Sequence, residues 1–277
     1  MKKVLVTGAN GMLGQDLCPL LEKEGYSVTK TDIDTMDITN FKNVKSVISS
    51  NSPDIVIHCA AYTNVDKAEE DLKTARLINS VGTENIAKVC GEKDILVVYI
   101  STDYVFQGNG NKPYLPTDKT NPLNNYGLTK FEGEEAVRRY CKKHFITRTS
   151  WLYGIHGKNF VETMISISKN PEVKVVNDQI GCPTWTIELS KGILRLLKTQ
   201  EYGTYHVCGS GYTSWYGFTQ EIYRQLGLNV NLSPCTTAEF PRPAKRPSYS
   251  VMENYGICRG WKEALKDYLE SRNKELK

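Results

Sequence analysis

The sequence predicts an α/β fold: a doubly wound parallel sheet in the first half, joined to a smaller mixed α/β lobe. Three observations carry this. Short β-branched apolar runs alternate with longer amphipathic stretches as far as Thr149. A glycine-spaced turn, Gly8-Ala9-Asn10-Gly11-Met12-Leu13-Gly14, stands between the first run and the first helical stretch. After about Arg148 the regularity decays, and four of the eleven prolines gather between Ser233 and Ser250. That segment must be largely extended or turned.

Val4 to Val6 is the first strand, and Asp16 to Glu24 the helix beyond the glycines. Tyr26 to Thr31, Asp54 to Cys59, Ile95 to Ser101 and Phe145 to Thr149 are the next four strands. Near-continuous apolar strands of this kind belong to parallel sheets covered on both faces. Helices are expected at Lys42 to Ser50, Leu72 to Glu92 and Thr129 to Lys143. In the second half, strands are expected at Val173 to Val176 and Thr204 to Val207. Helices follow at Phe160 to Ser168, Thr186 to Lys198, Trp215 to Leu226 and Trp261 to Lys277.

The 277 residues suffice for one α/β core of roughly 150 residues plus a smaller lobe. With 40% apolar and 24% charged residues the chain is not disordered, and a formal charge of +4 gives no reason to expect nucleic acid. No two of the eight cysteines lie closer than 23 positions, so neither a CxxC zinc site nor a disulfide framework is expected, and the thiols read as reduced. The apolar run after Lys2-Lys3 stops at Thr7-Gly8, too soon for a signal peptide. No apolar stretch approaches the ~18 residues of a membrane span. A soluble cytoplasmic protein follows, without membrane or nucleic-acid partners. The four histidines are widely spaced and show no metal-ligand pattern. His58, inside a strand, reads as a core residue.

The glycine turn sits where a dinucleotide needs it. One glycine permits the tight turn, one lets backbone N–H groups approach a pyrophosphate, and one allows close helix–strand packing. The following helix presents its free N–H groups to the phosphates. Gly8, Asn10, Gly11, Met12, Leu13 and Gly14 are therefore cofactor candidates, in a Rossmann-type domain over 1–149 to which a later segment returns. Residues 150–277 are expected to be mainly a substrate-binding lobe. Asp32 ends the second strand, 18 residues beyond Gly14. Its carboxylate can accept hydrogen bonds from the adenosine ribose and repel a 2′-phosphate, which favours NADH. Lys30 and Lys42 leave NADH or NADPH open. Asp37 and Ile38 are placed beside the adenine, with a plain loop as the alternative.

Tyr126-Gly127-Leu128-Thr129-Lys130 is a YxxxK segment. On a helix, residues i and i+4 share a face, so phenol and ammonium converge. A free phenol has a pKa of about 10, and a nearby ammonium is expected to lower it. Lys130 can also hold the nicotinamide ribose. Thr102, at the carboxyl end of the fourth strand and 24 residues before Tyr126, completes a candidate triad. Its alternative is a strand-end cap. Arg242, Lys245 and Arg246 cluster in the proline-rich segment. They read either as a clamp on a substrate diphosphate, with Arg246 the best candidate, or as a solvated basic turn.

These residues resemble the extended short-chain dehydrogenase/reductases that act on nucleotide sugars, and most of all the dTDP-4-dehydrorhamnose reductases. The resemblance runs through nearly the whole chain. It rests on the glycine turn, Ala60-Ala61-Tyr62-Thr63-Asn64-Val65-Asp66, Ser101-Thr102-Asp103-Tyr104-Val105-Phe106, Pro122-Leu123-Asn124-Asn125-Tyr126-Gly127 and Arg148-Thr149-Ser150-Trp151. It extends through Asp178-Gln179-Ile180-Gly181-Cys182-Pro183-Thr184 and Arg246-Pro247. It implies hydride transfer to C4 of dTDP-4-dehydro-L-rhamnose, with Tyr126 as proton donor and Thr102 and Lys130 completing the triad. Tyr104 and Trp151 would line the sugar pocket, and Ala60, Ala61 and Thr63 would pass beside the cofactor. Related dehydratases carry Asp-Glu after the threonine. Asp103-Tyr104 lacks the second carboxylate, which disfavours dehydration. Some members dimerise through a metal held by acidic residues. Glu188 is one candidate counterpart, but with no full set in view no metal is expected, and monomer or homodimer stays open. The competing readings are a reductase or epimerase of another nucleotide sugar, or a non-catalytic regulatory subunit like the β subunit of methionine adenosyltransferase.

Overall fold

Five of the apolar runs wind into one sheet in a computed structural model that describes residues 1–275. β1 (Lys3–Thr7), β2 (Ser27–Thr31) and β3 (Ile55–His58) are separated by α1 (Met12–Lys23) and α2 (Phe41–Asn51). Then come α3 (Val65–Glu70), α4 (Leu72–Arg76), a π-helical stretch (Leu77–Gly82) and α5 (Thr83–Glu92). β4 (Leu96–Thr102), α6 (Asn125–Tyr140) and β5 (His144–Thr149) complete this half. The single helix expected over Leu72 to Glu92 is thus three segments with a π-helical middle, and α3 was not foreseen. α6 begins earlier than expected because Asn124 caps it, its side chain accepting from Gly127 N at 2.8 Å.

Beyond β5 the elements are short. β6 (Leu152–Tyr153), α7 (Phe160–Ile167), β7 (Val173–Val176), β8 (Ile180–Gly181) and β9 (Thr184–Trp185) lead into α8 (Thr186–Leu197). β10 (Gly203–His206), β11 (Thr213–Ser214), α9 (Trp215–Leu226), β12 (Leu232–Cys235) and α10 (Trp261–Glu275) follow. The last helix was expected to reach Lys277, and residues 276 and 277 lie outside the described ones. The main sheet has the order β10-β5-β4-β3-β1-β2, parallel throughout. Its sixth strand therefore comes from far along the chain, and α8 packs with Leu189 and Ile193 against Leu17 and Leu21 of α1. The chain runs outward from β1 to β2 and then back to β3 on the other side of β1. At such a switch point the loops leave opposite ways and open a crevice at the carboxyl ends of the strands. A second core (Tyr153, Phe218, Trp261, Leu265, Tyr268) builds the smaller lobe beside that crevice.

A buried ion pair ties the sheet to α6. Arg148 of β5 and Glu134 of α6 are 2% and 0% exposed, and they meet through two hydrogen bonds of 2.8 Å. Ser101 of β4 donates to Glu134 at 2.6 Å, and Arg138 adds a bond of 2.7 Å. Burial opposes ionisation of Glu134, yet Arg148 and Arg138 hold its carboxyl below the ordinary range. Removing one member leaves a dry charge, which typically costs about 3–5 kcal/mol, whereas an apolar replacement of both can be nearly neutral. Arg148→Met should therefore lose about that much in urea unfolding. Arg148→Met combined with Glu134→Leu should recover at least half of it. Simple addition of the two losses would show that the pair does not act as a unit.

Candidate active site

The crevice is a cavity of about 910 Å³ at the carboxyl ends of β1, β3 and β4. That is large for a small-ligand site, which typically spans roughly 300–1,000 Å³. Its floor is the glycine turn. Gly11 N donates to Gly8 O at 3.0 Å and closes the turn. Gly8 has φ +64°, and a Cβ on Gly14 would lie 2.5 Å from Gly8 O, so neither position accepts a side chain without strain. Gly11 caps α1 without a side chain, and the first turn carries no acid. No acidic side chain of the first turn opposes the positive helix end that Met12, Leu13 and Gly14 bring to the cavity, as a pyrophosphate requires. The residues present fit a dinucleotide.

Gly8, Asn10, Gly11, Met12, Leu13, Gly14, Asp32, Ile38, Ala60, Ala61 and Thr63 all line the cavity. Asp32 is anchored there, accepting from Asn10 N at 3.0 Å and Ile33 N at 2.8 Å. Lys30 is engaged by Glu22 at 2.9 Å, away from the cavity wall. Asp37 does not line the cavity. Its carboxylate caps its own turn, accepting from Thr39 N at 2.9 Å and Thr39 Oγ1 at 2.7 Å. Of the pair expected beside the adenine, only Ile38 lines the cavity. His58 is a core residue, held between Thr7 Oγ1 at 2.7 Å and Thr83 Oγ1 at 3.0 Å.

Thr102, Tyr126 and Lys130 meet in the same cavity. α6 reaches the strand end closely because residue 127 is glycine: a Cβ there would lie 2.1 Å from Tyr104 O. Lys130 is buried, its Nζ 4.2 Å from the centre of the Tyr99 ring. Burial lowers its pKa to about 7, with the negative charge of Glu134 opposing. The Thr102 hydroxyl donates to Asp103 Oδ1 at 3.0 Å and adjoins the Tyr126 phenol. The expectation of a lowered phenol pKa is not met. Burial and the charge of Asp103 push Tyr126 up to about 12, with Thr102 opposing. A phenol so held stays protonated at neutral pH, the form that can give a proton away.

Trp151 and Tyr104 line the cavity, Tyr104 edge-on to Tyr126 with ring centres 5.8 Å apart. Arg246 does not line it. Its Nη2 is paired with Asp66 Oδ1 of α3 at 2.9 Å, and its Nη1 donates to Ala244 O at 3.1 Å. The charge expected to clamp a diphosphate instead fastens the proline-rich segment to the first domain. Glu188 is likewise taken up, by Lys191 at 3.1 Å and Arg259 at 3.0 Å.

Among the cavity residues that escaped the reading of the sequence as site candidates are Trp215, Lys158 and Asp103. Trp215 opens α9 and stacks on Trp151, ring centres 3.5 Å apart and planes 5° from parallel. Trp151 itself has φ +47°, a left-handed conformation that costs an L-residue roughly 1–2 kcal/mol. Nothing local in the sequence announces either feature. Asp103 was legible as a neighbour of Thr102, but its burial was not.

A Rossmann sheet, a capless glycine turn and a Thr-Tyr-Lys cluster at the strand ends define a nicotinamide-dinucleotide oxidoreductase of the short-chain dehydrogenase/reductase kind. Residues 1–274 match the RmlD substrate binding domain family, and the chain belongs to that family. It is 41% identical to the spore coat polysaccharide biosynthesis protein SpsK of Bacillus subtilis over 99% of both chains. The solved dTDP-4-dehydrorhamnose reductase of Clostridium acetobutylicum superposes with a TM-score of 0.95 at 45% identity, covering 97% of this chain and 99% of that one. The Bacillus anthracis dTDP-4-dehydrorhamnose reductase, solved in complex with NADP, gives 0.95 at 42% identity over 98% and 100%.

Asp103 provides a test of the site's electrostatics. Burial raises its pKa to about 6, with the hydrogen bond from Thr102 opposing. The folded value exceeds the unfolded one, so the folded chain binds the extra proton. The stability this contributes is complete below about pH 3.8 and is lost as pH rises through about 6. Asp103→Asn carries no titrating group. Its stability relative to wild type should rise by about 2 kcal/mol between pH 4 and 7 in chemical unfolding. A pH-independent difference would place the Asp103 carboxyl at its ordinary value.

Proposed function

We propose that the protein reduces the C4 ketone of dTDP-4-dehydro-L-rhamnose to dTDP-L-rhamnose, using NADH or NADPH. The observation that carries the reading is the convergence of Thr102, Tyr126 and Lys130 on the cavity floored by the glycine turn. The membership in a family whose solved members include dTDP-4-dehydrorhamnose reductases supplies the sugar. Bound along the glycine turn, the cofactor supplies the hydride. Tyr126 gives its phenolic proton to the oxygen that was the ketone. Thr102 turns its hydroxyl proton from Asp103 to the same oxygen and holds it against the phenol. Lys130 holds the nicotinamide ribose and, as an ammonium, stabilises the phenolate left behind. Its own value near 7 allows it to pass a proton back. Tyr104 and Trp151 contact the sugar. Asp103 stands alone beside Thr102, without the second carboxylate that dehydration would use.

All of these residues come from one chain, so a monomer or each half of a homodimer suffices. Eight free thiols, seven of them buried, suit the reducing cytoplasm. Among the described residues no helix is long and apolar enough to cross a membrane.

The decisive assay is loss of reduced-nicotinamide absorbance with dTDP-4-dehydro-L-rhamnose generated in situ. Turnover supports the reading, while cofactor binding without turnover shifts the weight to another nucleotide sugar. Tyr126→Phe should cut kcat by about 10²–10⁴ and leave the cofactor Kd within a few-fold, because only the proton donor is lost. Undiminished turnover would remove Tyr126 from the chemistry. Asp32→Ala should weaken NADH about tenfold and NADPH less, since only the former loses hydrogen bonds to a carboxylate. Equal weakening of both would mean that Asp32 does not read the ribose.

A further inference from the structure

Trp151 occupies a left-handed backbone conformation, φ +47°, at the turn between β5 and β6. A tryptophan rarely adopts this geometry without support. Its indole is pressed from two sides. On one side lies Gly181 of β8, where a Cβ would stand 2.5 Å from Trp151 Cε2. On the other lies Trp215 of α9, parallel and 3.5 Å away. Trp215 is itself fixed. Its Nε1 donates to Gln179 Oε1 at 3.1 Å, and Phe160 backs it with ring centres 4.4 Å apart. Gln179 in turn donates to Thr237 Oγ1 at 3.0 Å, and Thr237 N donates to Asp178 Oδ1 at 2.9 Å. The clamp is therefore anchored to the segment following β12. Both indoles remain part-exposed and line the cavity that holds Tyr126.

We infer that Trp215 is a positioning residue of the sugar subsite: it holds Trp151 in its strained geometry, so that the part-exposed rim of the indole is a fixed wall for the sugar. The chemistry is that of apolar sugar C–H groups packed against the rim of an aromatic ring fixed in place, which a mobile ring does not supply. The clamp is built from the β5–β6 turn, β8 and α9, whereas the glycine turn and Asp32 follow β1 and β2, so cofactor affinity is expected to survive loss of the clamp.

This inference rests on the nucleotide-sugar reading and is tested by separating the two ligands. Binding of dTDP-L-rhamnose is measured by calorimetry, and binding of NADPH by fluorescence, in wild type, Trp215→Leu and Trp215→Phe. Trp215→Leu should raise the dTDP-rhamnose Kd, and the KM for the ketosugar, about tenfold. It should change kcat less than about threefold and leave the NADPH Kd unchanged. Trp215→Phe, which restores a stacking ring, should recover most of the loss. Unaltered sugar affinity in Trp215→Leu overturns the proposal, and so does a parallel loss of NADPH affinity, which marks a general structural role. If Trp215→Leu is too unstable to isolate, Gly181→Ala pushes Trp151 from the opposite side and must give the same selective loss, or the proposal falls. Wild type that binds no dTDP-sugar overturns the nucleotide-sugar reading, and the sugar role of the clamp with it.

Discussion

The docking of α6 onto β4 and β5 is the constraint on which the site depends. Tyr126 and Lys130 are useful only if their helix lies close enough to the end of β4 for the phenol to meet Thr102. Gly127 and Gly133 remove the side chains that would keep the two apart, at Tyr104 O and the Tyr99 hydroxyl. Glu134 then binds Arg148 and Ser101 in the dry interior, one helical turn beyond Lys130. A buried ion pair of this kind is weak evidence for stability, because desolvation offsets much of the attraction. Its geometric demand is strict, however, and a slide of α6 along the sheet would strand both charges. The pair therefore acts as a register mark for the helix that carries the chemistry.

The electrostatics of the cavity follow from the same burial. Removing Tyr126, Lys130 and Asp103 from water pushes each towards its neutral form, the two acids upward and the amine downward. The result is a phenol that keeps its proton at neutral pH, next to an amine poised near 7. That combination suits proton donation to a reduced carbonyl better than it suits a resting phenolate. An ammonium beside a phenol implies phenol acidification in water, and burial reverses the sign here.

The smaller lobe contributes its share by bracing the first domain's loops. Asn124, which caps α6, donates to Lys245 O at 2.9 Å, and Asp66 of α3 holds both Arg246 and Ala244 N. Basic residues near a diphosphate site were expected to serve the ligand. Arg246 serves the fold instead, because Asp66 lies opposite it and a part-buried guanidinium meets the nearest carboxylate.

Much of the architecture was legible in the chain itself. Strand periodicity announced the parallel sheet, and the spacing of Gly8, Gly11 and Gly14 marked the dinucleotide turn. Thr102, Tyr126 and Lys130 were recognisable as site candidates by the motifs around them. These features are local: a turn, a strand end and one face of a helix are set by residues a few positions apart. Which side chains face the cavity was decided elsewhere. Asp37 turned to its own loop and Arg246 to Asp66, while Trp215, 64 residues after Trp151, came to lie flat against it. Such pairings join segments distant in sequence, and only the packed structure brings their side chains within reach.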